Sequence, residues 1–226
     1  MSILFTLVMF LLFISINYFR HVRREESTQV PAVLASPHPP GLHPPEMIRE
    51  MGFEIPRGYA FQPGHTWAAQ EEPTEARVGI DSFAAALLGK VTAVETGTLN
   101  RWMRQGQVLA TLKHDGLAVD IVSPVEGIVA AVNPKVVQDP SLITRDPYGE
   151  GWIARVHSPD LPTNMRNLIR GSLVRPWMGH TLTRLRAMTS PLVGAVAQDG
   201  GMPVSGLLAQ VDEGLRHNLI REFFLT

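Results

Sequence analysis

The apolar positions of this chain follow a different period in each stretch, and every change of period marks a change of element. From Ile3 to Phe19 the chain is apolar apart from Thr6, Ser15, Asn17 and Tyr18. A helix over this run would be about 26 Å long at about 1.5 Å per residue, near the lower limit for crossing a bilayer. No positive residue precedes the run and no small-x-small cleavage site closes it, whereas Arg20, Arg23 and Arg24 follow at once. This distribution predicts a retained single-pass helix, not a cleaved signal peptide. It places the rest of the chain on the cytoplasmic side of the inner membrane. Residues 25–45 then carry six prolines and no periodic apolar pattern. They predict an extended tether with a reach of up to about 60 Å. His38 and His43 lie in it and are expected to be solvated, because no carboxylate or thiolate supports a metal there.

From residue 61 the pattern turns to short β segments separated by turn signals. Residues 78–80 read as a brief strand. Asp81 or Ser82 caps a short helix over 83–88 that Gly89 ends. Residues 91–95 read as a strand and 97–106 as a loop. Residues 107–114 and 117–122 alternate as two strands joined by Asp115-Gly116, which supplies both positive-φ positions of a two-residue hairpin turn. Residues 123–127 form a second turn and 128–132 the next strand. Strands this short predict a compact barrel or sandwich with few helices.

Beyond Pro159 the spacing becomes helical. Met165, Leu168, Ile169 and Leu173 predict a helix over 163–174, and Leu182 and Leu185 continue one over 181–188. Residues 161–186 hold five arginines and no acid. These are expected to form a solvated face, with contact to anionic lipid as the other reading. Residues 191–203 read as irregular. Residues 204–224 read as one amphipathic helix of about five turns, from the spacing of Leu207, Leu208, Val211, Leu215, Leu219, Ile220 and Phe223. Its greasy end, with Leu219, Phe223 and Phe224, suits either this chain's own domain or a groove on a partner.

Composition narrows the chemistry. The net charge is −1 and 18% of residues are charged, so no global field favours nucleic acid. There is no cysteine, which excludes disulfides, thiol nucleophiles and thiolate metal sites. Lysine occurs only as Lys90, Lys113 and Lys135. No nucleophile elbow, zinc-protease helix or phosphate-cradling glycine loop is present, and the chain is expected not to be an enzyme.

Five elements, in order, resemble the glycine cleavage H-protein family. They are His65-Thr66-Trp67; Gly79-Ile80 running through Leu87-Leu88-Gly89; Ser123-Pro124-Val125-Glu126-Gly127; Asn133; and Asp146-Pro147-Tyr148-Gly149-Glu150-Gly151-Trp152. The resemblance implies a mainly β fold, a lipoyl-type barrel-sandwich hybrid with short flanking helices. The expected organisation is an anchor with a basic flank over 1–24, a tether and entry segment over 25–60, the lipoyl-type domain over 61–160 and a helical extension over 161–226.

The resemblance also implies where a lipoyl group would sit, namely on a lysine at the tip of the hairpin. Counting back from Pro124 puts Gly116 in that place, with Lys113 where the family has glutamate. The expectation is therefore a degenerate carrier without cofactor or metal. It would act as an accessory or scaffold subunit of a membrane-associated, redox assembly, holding a protein partner through His114 and Asp115 at the hairpin or through the terminal helix. One alternative is a carrier lipoylated on the displaced Lys113. A second is a periplasmic adaptor of the membrane-fusion kind, disfavoured because the two lipoyl-like halves run on without a coiled hairpin between them.

Overall fold

The computed structural model describes residues 46–50, 52–97, 99–189 and 205–225. The anchor at 3–19, the tether and the irregular stretch at 191–203 lie outside them. Among the described residues no helix is long and apolar enough to cross a membrane.

Two antiparallel sheets share one core. The larger has the order β3-β4-β5-β11-β10-β7 and the smaller the order β6-β8-β9. The larger is built from β3 (Ala60–Phe61), β4 (Thr66–Glu72), β5 (Glu75–Ile80), β7 (Trp102–Met103), β10 (Gly127–Val132) and β11 (Ala154–His157). The smaller holds β6 (Ala93–Thr96), β8 (Val108–His114) and β9 (Leu117–Val122). A separate hairpin, β1 (Met47–Glu50) with β2 (Phe53–Pro56), precedes them and buries Phe53 and Ile55. Strands alternate as period 2 demands: in β5, Ala76 and Val78 face the core while Glu75 and Arg77 face out.

The helix after β5, α1 (Ser82–Leu88), is apolar almost all round and is buried almost all round, as such a composition requires. Asp81 begins it by accepting the Ala84 N–H at 2.8 Å, and Gly89 ends it at φ 70°. Short helices α2 (Pro134–Gln138), α3 (Leu142–Arg145) and α4 (Leu161–Arg166) follow. A 3-10 turn over Gly171–Leu173 leads into α5 (Val174–Thr189), and α6 (Leu207–Gln210) and α7 (Glu213–Phe224) close the described chain.

Most sequence motifs turn out to be packing devices. The Trp67 indole donates to the Ile80 carbonyl at 2.7 Å, and a Cβ on Gly79 would lie 2.7 Å from that ring. Asn133 caps α2 while its amide donates to the Glu150 and Trp152 carbonyls at 2.7 and 2.8 Å. Asp146 accepts the Gly149 and Glu150 N–H groups, which folds the Asp146–Trp152 segment into a closed turn.

Several expectations are corrected. The strand expected at 78–80 begins at Glu75, and the strand expected at 91–95 spans Ala93–Thr96. The loop expected at 97–106 contains β7, paired with β10. The helix expected at 163–174 is broken. Phe61 and Ile169 exchange backbone hydrogen bonds, each 2.8 Å, so Arg170 is extended (φ −153°) and Gly171 turns at φ 57°. The single helix expected at 204–224 divides at Val211 and Asp212, both extended, and the Asp212 carboxylate caps α7 through the Leu215 N–H.

Candidate functional site

The β8–β9 hairpin forms with the register read from the sequence, His114 opposite Leu117 and Lys113 opposite Ala118. Asp115 (φ 45°) and Gly116 (φ 81°) are its two apex residues. Both lie in the left-handed region, where Asp and Gly are among the residues that go most readily. A Cβ built on Gly116 meets nothing within 4 Å, so the apex is open to solvent. Asp115 is exposed, and its carboxylate lies 3.3 Å from Nε2 of His114. The His114 ring is mostly covered, and its Nδ1 is buried without a hydrogen-bond partner. On the strands below, Thr111 donates to Asp120 across the pair at 2.6 Å.

None of the three lysines stands at the apex. Lys113 is on β8, and its Nζ is 2.5 Å from Oε1 of Glu95 on neighbouring β6. Glu95 was not singled out from the sequence. The signal that finds it is register: β6 pairs Ala93 with Lys113, which sets Glu95 two residues along on the same face. Lys135 pairs with Glu150, and Lys90 follows the glycine that ends α1.

The terminal helix places three of its apolar side chains inside this chain's own fold, while Leu215 and Ile220 are half-buried. Leu219, Phe223 and Phe224, expected as docking candidates, are buried in this chain's own core. Phe223 packs edge-on against Phe83 of α1 with ring centroids 5.2 Å apart, and α7 lies against β9. The physical reason is the apolar composition of α1 all round: α6 lies against it and Phe223 of α7 packs on Phe83.

Beside Phe83 and Trp177 lies a polar pair of two residues that the sequence names separately and does not join. His65 and Asp81 are both buried, with Nδ1 and Oδ2 2.7 Å apart. The imidazole is held between Phe83 (centroids 4.3 Å) and Trp177 (4.9 Å), and the backbone of His65 is at φ 58°. Asp81 thereby caps α1 with one carboxylate oxygen and holds His65 with the other. Nearby, the Tyr148 hydroxyl accepts the Ser82 N–H at 3.1 Å. Burial pushes the Tyr148 phenol far above its ordinary value, and burial raises Tyr59 as well.

Two antiparallel sheets joined through one core, with a two-residue hairpin at the end of the smaller sheet, make a mainly β domain with short flanking helices. The family model described as "Glycine cleavage H-protein" matches residues 59–175, and the chain belongs to that family. Similar relatives include the "Glycine cleavage system H protein" of Coprothermobacter proteolyticus, 35% identical over 109 residues, covering 48% of this chain and 86% of that one. That of Thermus thermophilus is 36% identical over 109 residues, with coverage of 48% and 84%. That of Magnetococcus marinus is 32% identical over 126 residues, with coverage of 56% and 89%. A crystal structure of a glycine cleavage system H protein from Mycobacterium marinum is similar over 56% of this chain and 98% of that chain, at 26% identity and a TM-score of 0.48.

Proposed function

We propose that this member of the H-protein family carries no lipoyl group. In this reading it is a non-catalytic accessory or scaffold subunit that holds a protein partner within a membrane-associated assembly. Residues 3–19 anchor it in the cytoplasmic membrane with the folded unit on the cytoplasmic side. The observation that carries this reading is the Asp115-Gly116 apex, which has no amine to acylate. Carriage of an acyl or aminomethyl group requires a covalently held arm that swings between sites. Lys113 is a poor substitute, because it leaves the strand below the apex and is engaged by Glu95. The pairing is exposed and so energetically modest, but it directs the side chain along the sheet instead of away from the tip.

The test is the intact mass of the native protein purified in mild detergent, with identification of what co-purifies. The expected result is the unmodified chain together with a stoichiometric partner. A mass increase equal to a lipoyl group overturns the proposal, and its loss in Lys113→Arg would assign the arm to Lys113.

A further inference from the structure

Between the last residues before β7 and the start of β8, the end of that strand far from the Gly116 apex, three large apolar side chains are exposed. Leu99 is 49% exposed, Trp102 48% and Val108 45%. Three large apolar side chains bare within ten residues are the densest run of this kind among the described residues. The backbone that carries them is firmly held. Asn100 donates to the Val129 carbonyl at 2.9 Å and Val129 donates to the Arg101 carbonyl at 3.2 Å, which fastens the segment along β10. Trp102 stands directly opposite Ile128, on the open edge of the larger sheet. The turn that follows is closed by the Gln107 N–H on the Arg104 carbonyl and by the Arg104 N–H on the Gln107 side chain, each 3.1 Å. It delivers Val108 opposite Val122.

Within residues 99–108 the charge has one sign, with Glu126 on the adjoining turn beside Gly127, the residue that pairs with Met103. Arg101 and Arg104 are exposed, and neither meets a carboxylate among the described residues. No Asp or Glu occurs between residues 97 and 114. Tryptophan, aliphatic side chains and arginine together are the composition that settles at the headgroup layer of a bilayer, where basic groups are drawn to anionic lipid.

We propose that residues 99–108, through Leu99, Trp102 and Val108 with Arg101 and Arg104, form a surface that rests in the headgroup layer of an anionic membrane. The inference rests on the proposed anchor at 3–19 only in that a tether with a reach of up to about 60 Å when fully stretched would let this face meet lipid. Membrane contact here would leave the Gly116 apex, about 20 Å away along β8 at about 3.3 Å per residue, turned toward other proteins.

The absence of cysteine makes the test direct, because a single introduced thiol takes a single label. Val108→Cys, and Leu99→Cys as a second site, would carry an environment-sensitive fluorophore in the full chain reconstituted into lipid nanodiscs. Asp115→Cys supplies the control at the other end of the strand. The expected result is a blue shift at 108 and 99 in discs containing phosphatidylglycerol, none in phosphatidylcholine alone, and none at 115. The shift should vanish at about 1 M salt, where the screening length is about 3 Å, and in the variant combining Arg101→Gln with Arg104→Gln. No shift in anionic discs, an equal shift at 115, or a shift that needs an added soluble protein would each overturn the proposal. Failure of the chain to enter discs would sink the anchor instead, and the same labels read against preformed anionic vesicles would then decide the patch by the same criteria.

Discussion

Gly116 and Gly127 both have positive φ, yet they stand in opposite surroundings. Gly116 is at φ 81° with open space where a Cβ would go, so a side chain there costs backbone strain of about 1–2 kcal/mol and nothing else. Gly116→Lys should therefore fold with a modestly lowered Tm and present an amine at the apex. Coexpressed with a lipoylating enzyme, it should gain the lipoyl mass in intact-mass spectra while the parent chain does not. A G116K protein that folds and stays unmodified would show that the apex has lost more than its lysine. At Gly127, in contrast, a Cβ would overlap the His157 carbonyl of the paired strand at φ 152°. Gly127→Ala should cost about 3 kcal/mol or more, against about 1 kcal/mol for Gly106→Ala, where φ is 79° but nothing lies within 4 Å. Denaturant midpoints of the two variants check the contrast. Tyr148 adds a pH dependence of definite sign. Its folded-state pKa is raised by burial above the ordinary value near 10, so the stability it contributes is complete below that pH. It is lost as the pH rises further, because the unfolded chain releases the proton while the folded one resists. Tyrosinate absorbance should appear together with loss of structure above about pH 10, and Tyr148→Phe should flatten that alkaline fall.

The short helix α1 shows how much of the architecture can be read locally and where local reading ends. Its cap, its apolar composition and its terminal glycine are all written in residues 81–89, and the helix forms where they predict. The hairpin is as legible, because Asp115-Gly116 and the alternation of its flanks act over neighbouring residues. What escaped the sequence depends on distant partners. Ile169 is at helical spacing with Met165, yet it is drawn out of a helix because Phe61 offers both backbone hydrogen bonds across the chain. Strand β7 is only two residues long and exists because β10 pairs with it. The candidate site divides the same way: the bare apex was legible, whereas the Glu95 contact to Lys113 and the His65–Asp81 pair needed the folded register. That pair makes the cap of α1 more than a local device. An N-cap lost to alanine ordinarily costs about 1 kcal/mol. Asp81→Ala also strands a buried imidazole between Phe83 and Trp177, so a cost of about 3 kcal/mol is expected. Asp81→Asn keeps an acceptor for the Ala84 N–H and should recover part of that loss. Equal destabilisation by the two variants in urea unfolding would assign the whole effect to the pair and none to the cap.

At the scale of the molecule, the family match ends at residue 175 while the core does not. Leu182 of α5, Leu207 and Leu208 of α6, and Leu219, Phe223 and Phe224 of α7 belong to one cluster with Phe61, Phe83 and Leu87, and Trp177 packs against it. The docking is close enough to require glycine at position 89. Gly206 donates its N–H to the Ala86 carbonyl at 2.8 Å, and a Cβ on Gly89 would lie 2.6 Å from the Gly206 Cα. Leu225 and Val122 both lie close to Gly64, and α7 packs against β9, the strand that leads out of the hairpin. Arg184 of α5 and Glu222 of α7, 2.6 Å apart, join the two helices on the outside. These helices are therefore a wall of the domain, not a separable docking arm, and the consequence can be measured. Phe223→Ala should destabilise the whole chain by about 3–5 kcal/mol in a single transition, because it opens a cavity against Phe83 and His65. A chain ended before Glu213 should lose cooperative unfolding and expose backbone amides of β9 and α1 to hydrogen exchange. If that shortened chain instead keeps a sharp transition and full protection at β9, the extension is dispensable to the fold, and its apolar face would be free for the partner that the anchored scaffold reading requires.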